Sequence, residues 1–148
     1  MRHRRTTNRL PQKPGHARMM TRNLVTSMLL YEKLRTTKKR ADVIAPEIDR
    51  LIRYAKTHQP YLAIRRLNEF VTDKNASRKV MEVLMKRYVA RDSGLTRVTP
   101  VGSRKGDGAM LVDLAFVEGA EVALEAKPEK AKKSAKVTKT KKATASKK

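Results

Sequence analysis

The stretch GLTRVTPVGSRKGDGAMLVDLAFV, residues 94–117, decides the fold class of this chain. Apolar and β-branched residues dominate positions 95–101 and 109–117, and the seven residues between them include three glycines. This pattern predicts two strands joined by a long hairpin loop. Helical periodicity stops at Gly94, so this stretch indicates an α+β fold rather than an all-helical one.

Helical periodicity governs most of the chain before Gly94. Apolar residues at helical spacing predict four helices, one from about Ala17, one over about 38–57, one from Pro60 and one after Asp73, which is a good N-cap. Pro46 lies inside the second helix and is expected to kink it or to make it begin afresh. The expected inward residues are Met20, Leu24, Val25, Met28, Leu29, Tyr31, Ile44, Ile48, Leu51, Ile52, Ala55, Ala63, Ile64, Leu67, Val80, Val83, Leu84 and Tyr88.

A short β-branched stretch, residues 34–37, predicts a third strand, and Thr37 is placed to cap the helix that follows. About three strands and four helices predict an α+β fold with the helices packed on one face of a small sheet. We expect an extended basic arm over residues 1–15 and a globular body over residues 16–117. An acidic spacer with a disordered Lys-rich tail is expected over residues 118–148.

The chain is strongly basic. Its 148 residues hold 36 Lys and Arg against 14 Asp and Glu, a net charge of +22. Repulsion among so many like charges calls for a polyanionic partner, and nucleic acid is the leading candidate. Both ends are rich in cations, since residues 1–22 hold seven basic side chains and no acid, and residues 127–148 hold ten Lys and one Glu.

The two ends differ in chemistry. The N-terminal segment is rich in Arg, whose planar guanidinium can grip phosphate with two parallel hydrogen bonds. The tail has almost nothing to bury and is either a polyanion contact or a solvated solubility tail. The candidate RNA-binding residues are Arg2, His3, Arg4, Arg5, Arg9, Lys13, His16, Arg18 and Arg22 near the N-terminus, and Arg97, Arg104 and Lys105 in the hairpin.

Several classes of function lack support. The chain has no cysteine, which excludes disulfides, thiolate zinc sites and a Cys nucleophile. No apolar run exceeds four residues, so neither a signal peptide nor a membrane span is expected. The His, Asp and Glu residues form no catalytic or metal-binding pattern, and Glu47 and Asp49 diverge on one helix. We expect no enzyme, no cofactor and no small-molecule substrate.

The kind of nucleic acid follows from the aromatic and polar residues. The six aromatic residues fall mostly at predicted core or helix-edge positions, which leaves no strand on which single-stranded bases could stack. No helix carries the row of Arg, Asn and Gln that a major-groove reader needs. Recognition of phosphate and shape remains, and structured RNA fits it best.

Short motifs in residues 1–117 resemble those of the bacterial large-subunit ribosomal protein number seventeen family. They are Met1-Arg2-His3-Arg4, Leu10, His16, Arg22-Asn23-Leu24, Thr36-Thr37, Pro46, Arg87-Tyr88, Arg91, Gly94, Thr96-Arg97 and Arg104-Lys105-Gly106-Asp107. Each motif is weak alone, but their order and spacing together are specific. The resemblance implies a structural constituent of the cytoplasmic large ribosomal subunit without catalytic activity. It also implies binding to large-subunit ribosomal RNA near the exit of the peptide tunnel, beside neighbouring ribosomal proteins.

The residues alone leave two other functions open. The Lys-, Ala-, Thr- and Ser-rich tail from Lys127 is also typical of a nucleoid or linker-histone-like DNA-binding protein. A basic RNA-processing enzyme is the third hypothesis. Sedimentation separates the ribosomal hypothesis from the DNA-binding one, because a ribosomal protein would travel with the large subunit and a DNA-binding protein with chromosomal DNA.

Overall fold

A computed structural model describes residues 8–118 of the chain. Its elements in chain order are α1 Pro14–Tyr31, β1 Lys33–Thr37, α2 Lys38–Thr57, α3 Pro60–Phe70, α4, β2 Thr96–Ser103 and β3 Met110–Phe116. The fourth helix, α4, joins α-helical Lys74–Lys79, a π-helical turn Val80–Leu84 and α-helical Met85–Arg87. The predicted α+β fold with four helices and three strands is confirmed.

The start of the first helix differs from the prediction. α1 begins at Pro14, three residues before Ala17, and takes up the last two residues of the expected arm. Proline is common at the first position of a helix because its ring holds φ near the helical value. The backbone N–H that proline lacks would have no intrahelical acceptor at this position. Residues 1–7 of the expected arm, and the expected spacer and tail beyond Glu118, lie outside the described residues.

The sheet has the strand order β1-β3-β2, with both pairings antiparallel. The central strand, β3, buries its alternate residues Val112, Leu114 and Phe116 toward the helices. The residues between them point to the opposite side, which we call the open face. Val101 is an extra residue in β2, where the register with β3 shifts.

The core lies between the helices and one face of the sheet. Its members are Val25, Met28, Leu29, Ala41, Ile44, Ile48, Leu51, Ile52, Ala55, Ala63, Leu67, Val71, Ala76, Val80, Leu84, Tyr88, Leu95, Val112, Leu114 and Phe116. Six of them belong to α2, which runs unbroken from Lys38 to Thr57 and does not begin afresh at Pro46. Packing of this long apolar stripe compensates for the hydrogen bond that the proline cannot donate.

Three residues predicted to face inward are exposed instead. Tyr31 is 75% exposed, Ile64 43% and Val83 40%. Tyr31 is the last residue of α1, whose buried stripe is formed by other residues, and Ile64 borders a groove between α3 and α4. Val83 lies in the π-helical turn, whose i→i+5 hydrogen bonds make each turn wider than in an α-helix. Val80 and Leu84, four residues apart, therefore face the core, and Val83 does not.

Glu32 joins α1, α4 and the sheet. It ends α1 in the left-handed conformation with φ 60°, and its carbonyl accepts a hydrogen bond from the Phe116 N–H at 3.2 Å. Its carboxylate contacts Nζ of Lys79 and Nη1 of Arg87, each at 2.7 Å. Burial raises the pKa of Glu32, but hydrogen bonds from Arg87 and Lys79 outweigh burial and leave the pKa below its usual value.

Asp49 ties α2 to the start of the hairpin. Its Oδ2 accepts the Gly94 N–H at 3.0 Å and its Oδ1 accepts the Leu95 N–H at 3.2 Å. Gly94 has φ 67°, a conformation that glycine adopts without steric cost. Glu47 pairs instead with Arg50 at 2.6 Å, so the two carboxylates diverge as predicted.

Two helix caps were predicted, and the structure shows a capping hydrogen bond for only one of the two side chains. Asp73 caps α4, since its Oδ1 accepts the Asn75 N–H at 2.8 Å. Thr37 occupies the N-cap position of α2, but its side chain makes no capping hydrogen bond. The position of the second cap was predicted correctly and its chemistry was not.

Candidate nucleic-acid interface

The N-terminal cations that the structure describes gather at the start of α1. Arg9, Lys13, His16 and Arg18 are exposed, and none of them has an ion-pair partner among residues 8–118. The first turn of α1 holds no acid, and the amide groups at a helix N-terminus attract anions. This end of α1 therefore suits phosphate. The other predicted contacts of this segment, Arg2, His3, Arg4 and Arg5, lie outside the described residues.

Arg22, also a candidate contact, is engaged inside the protein. Its Nε donates to the Phe70 carbonyl at 2.7 Å and its Nη2 donates to the Glu69 carbonyl at 3.1 Å. These carbonyls belong to the last turn of α3, where no intrahelical donor reaches them. Arg22 therefore caps α3 from α1, a structural role that the sequence interpretation missed because the partners are 47 and 48 residues away.

The hairpin loop, residues 104–109, holds its two cations in different ways. Arg104 forms a bidentate pair with Asp107, and this pair holds the pKa of Asp107 well below its usual value. Asp107 also accepts the Ala109 N–H at 3.2 Å. Lys105 is exposed and has no ion-pair partner in the described part of the chain. The loop thus fixes Arg104 and presents Lys105.

Arg97 lies on the open face, on the strand that leads into the loop. It pairs in register with Ala115 of β3, which pairs in turn with Lys33 of β1. Two residues further along each strand, Thr99 pairs in register with Asp113, which pairs in turn with Arg35. Among the open-face cations, only Arg97 was predicted from the sequence to bind RNA. The alternation of Lys33, Leu34 and Arg35 was the signal for the others.

A second set of cations that the sequence interpretation missed opens α2. Lys38, Lys39 and Arg40 follow β1 directly, and the first turn of α2 contains no acid. Since Thr37 pairs with Leu111 beside the hairpin, these residues lie at the same end of the sheet as the loop. The cations of the hairpin loop and those at the start of α2 therefore belong to one basic region around the C-terminal end of β1.

The exposed aromatic rings do not form a platform for bases. Tyr31 and Tyr61 are exposed but lie on separate helices. The rings of Tyr88 and Phe116 are inside the core, and Tyr54 stacks on His58 with centroids 3.8 Å apart. Without such a platform, this surface can contact phosphate and can fit the shape of a partner.

Residues 8–118 show neither a metal centre nor a membrane-spanning helix. No group of three or more His, Asp and Glu side chains in this part of the chain is placed to hold a metal ion. No helix in the same range is long and apolar enough to cross a membrane. Fold and surface together define a small basic α+β protein with the cation distribution of a polyanion-binding protein.

Comparison with known proteins gives the family. The family described as ribosomal protein L17 matches residues 20–117. The large ribosomal subunit protein bL17 of Syntrophotalea carbinolica is 36% identical over 118 residues, covering 80% of this chain and 76% of that protein. The bL17 of Chloroflexus aggregans is 34% identical over 118 residues, covering 80% and 98%, and that of Desulforudis audaxviator is 35% identical over 109 residues, covering 74% and 96%.

The chain belongs to the ribosomal protein L17 family, which confirms the resemblance seen in its short motifs. It is accordingly a structural constituent of the large ribosomal subunit, located in the cytoplasmic ribosome, and not an enzyme.

Proposed function

We propose that this protein binds and stabilises folded large-subunit ribosomal RNA near the exit of the peptide tunnel, in contact with neighbouring ribosomal proteins. The observation that carries the proposal is the set of exposed cations without ion-pair partners in residues 8–118, at the start of α1 and at Lys105. Such cations hold RNA through phosphate, and the shape of the folded RNA then selects the site.

The three parts of the chain contribute differently to this binding. The Arg-rich segment before α1 inserts between RNA helices, because guanidinium groups make directed bidentate contacts with phosphate. The body supplies a second contact at the hairpin loop. The Lys-rich tail adds charge that depends strongly on salt.

The DNA-binding alternative is supported only by the composition of residues 127–148. Membership of a ribosomal protein family favours RNA over DNA as the partner of the whole chain. The two partners stay separable by sedimentation.

The location near the tunnel exit can be tested because the chain contains no cysteine. A Lys105→Cys protein can carry a single tethered hydroxyl-radical probe into the large subunit. We expect RNA cleavage in the nucleotides that surround the tunnel exit. A matched Lys86→Cys protein, with the probe on an exposed position of α4, should give a different and separable cleavage pattern. Cleavage by the Lys105 probe far from the exit would contradict the proposed location.

A further inference from the structure

We propose that the open face of the sheet is a docking surface for the sugar–phosphate backbone of double-helical RNA, with Lys33 and Arg97 as its principal phosphate contacts. The inference rests on the proposed function, because it names a further surface for the same RNA partner. It assigns a role to residues of β1, which lie outside the hairpin and outside the N-terminal segment.

The open face is accessible. The helices pack against the side of the sheet that carries Val112, Leu114 and Phe116. On the other side Lys33, Arg35, Arg97 and Thr99 are all exposed, so no element within residues 8–118 covers it. The surface is therefore left for a partner outside the described chain.

The charge of this face is positive and poorly compensated. Within residues 8–118 the face carries one carboxylate, Asp113, which is held by Arg35, with Nε to Oδ1 at 2.7 Å and Nη2 to Oδ2 at 3.0 Å. The hydrogen bonds from Arg35 hold the pKa of Asp113 below its usual value, so this carboxylate stays ionised. Lys33 and Arg97 have no ion-pair partner in residues 8–118. An anionic partner would therefore find two cations without competition from a bonded carboxylate.

The spacing and shape of the face fit a nucleic-acid backbone. Lys33 and Arg97 flank the small residue Ala115 across three strands, so their Cα atoms are about 9–10 Å apart. Ala115 leaves the middle of the face low enough for a polymer to lie against it. The hydroxyl of Thr99 adds a group that can bond to phosphate or to a ribose 2′-OH.

The same face argues against recognition of bases. Phe116, the aromatic residue of β3, points into the core and is 5% exposed. Sheets that read single-stranded RNA stack bases on exposed aromatic rings, and none of the described strand residues on this face is aromatic. Double-stranded RNA is recognised through its shape, its phosphates and its 2′-OH groups, which is what this face can contact.

The first test compares two full-length double variants with equal loss of charge. Lys33→Gln with Arg97→Gln removes the proposed contacts. Arg53→Gln with Arg65→Gln removes two exposed cations from α2 and α3 that also lack ion-pair partners in residues 8–118. Binding to purified large-subunit ribosomal RNA is measured between about 50 and 200 mM salt. Melting temperatures of both variants should match the wild type, because the replaced side chains are exposed.

The slope of log affinity against log salt should become shallower by about 1.4 to 1.8 for the open-face variant, the amount expected for two lost phosphate contacts. The control should change it by less than half as much. Equal changes in the two variants would mean that net charge alone acts, and this would overturn the proposal. An Asp113→Asn protein gives a test of opposite sign, because releasing Arg35 should tighten binding, and weaker binding would contradict the proposal.

Competition and salt-wash experiments distinguish the partner of the open face. In competition with a paired RNA duplex and a single strand of equal length, the open-face variant should lose preference for the duplex, and an unchanged preference would overturn the inference. If the variant binds purified RNA normally but leaves the large subunit in a salt wash, the face contacts an acidic protein segment instead. If the wild type itself does not prefer ribosomal RNA to bulk RNA, the proposed function fails. If the wild type prefers ribosomal RNA and the open-face variant keeps the affinity and the duplex preference of the wild type, this inference alone is contradicted.

Discussion

At the scale of single residues, the cations of residues 8–118 differ in what their side chains contact. Arg22, Lys79 and Arg87 are bonded inside the body, to carbonyls of α3 and to the carboxylate of Glu32. Lys33 and Lys105 point outward without such partners among residues 8–118. The sequence shows that the chain is basic but cannot separate these two sets, because the partners of Arg22, Lys79 and Arg87 lie 47 to 55 residues away.

Replacing Glu32 with Gln should destabilise the protein. The change leaves the partly buried Lys79 and Arg87 without their anion, and charge-assisted hydrogen bonds of this kind contribute about 2 kcal/mol in total. Denaturant unfolding at pH 7 would measure the loss. A Glu69→Gln control, which breaks only the exposed pair with Arg66, should cost less than about 0.5 kcal/mol. Equal losses would show that the Glu32 cluster is not special.

Glu32 should also make stability depend on pH on the acid side. Since its folded pKa is lower than its ordinary value of 4.5, its stabilising contribution is complete above that value. The contribution is lost as the pH falls through the lowered pKa. The free energy of unfolding of the wild type should therefore fall more steeply below about pH 4.5 than that of Glu32→Gln. Parallel curves for the two proteins would contradict the assignment.

At the scale of secondary-structure elements, local signals predicted what depends on neighbouring residues. Pro60 opens α3, Asp73 caps α4, and the glycines of the hairpin join two strands, all as the sequence indicated. Features set by tertiary packing were missed. The π-helical turn Val80–Leu84 has no recognisable local signature, and it reverses the expected direction of Val83. By contrast, the predicted range of α2, 38–57 with Pro46 inside it, is confirmed.

The two predicted caps should respond differently to alanine. Asp73→Ala should cost about 1 kcal/mol, because the Asn75 N–H loses its acceptor. Thr37→Ala should cost about 0.5 kcal/mol or less, because the Thr37 side chain makes no capping bond. Urea unfolding of the two variants measures both losses. A larger loss for Thr37→Ala would show that this hydroxyl caps α2 in solution.

At the scale of the whole molecule, cations are distributed over a folded body and over both ends of the chain. The candidate site was predicted in part, since the N-terminal cations and the hairpin were identified from charge runs and glycines. The cations of β1 and of the start of α2 were not identified, because only the strand order β1-β3-β2 brings them to Arg97 and to the loop. Their grouping follows from topology rather than from any local pattern.

A chain that ends at Ala126 should keep its preference for cognate ribosomal RNA over bulk RNA. The residues removed include ten Lys and no Arg, so binding should weaken mainly at low salt and show a shallower salt slope. Titrations of both RNAs at several salt concentrations provide the measurement. An unchanged slope with loss of the preference would make the tail a shaped recognition element.

The central claim, that this protein is held on the large subunit by directed cation–RNA contacts, is tested most directly by sedimentation after a salt wash. The full chain should travel with the large subunit rather than with chromosomal DNA. A chain without residues 1–13 should lose more occupancy than a chain that ends at Ala126, because bidentate guanidinium contacts lose less entropy per bond than mobile ammonium contacts. Equal or reversed losses, or recovery of the full chain with DNA, would contradict the account.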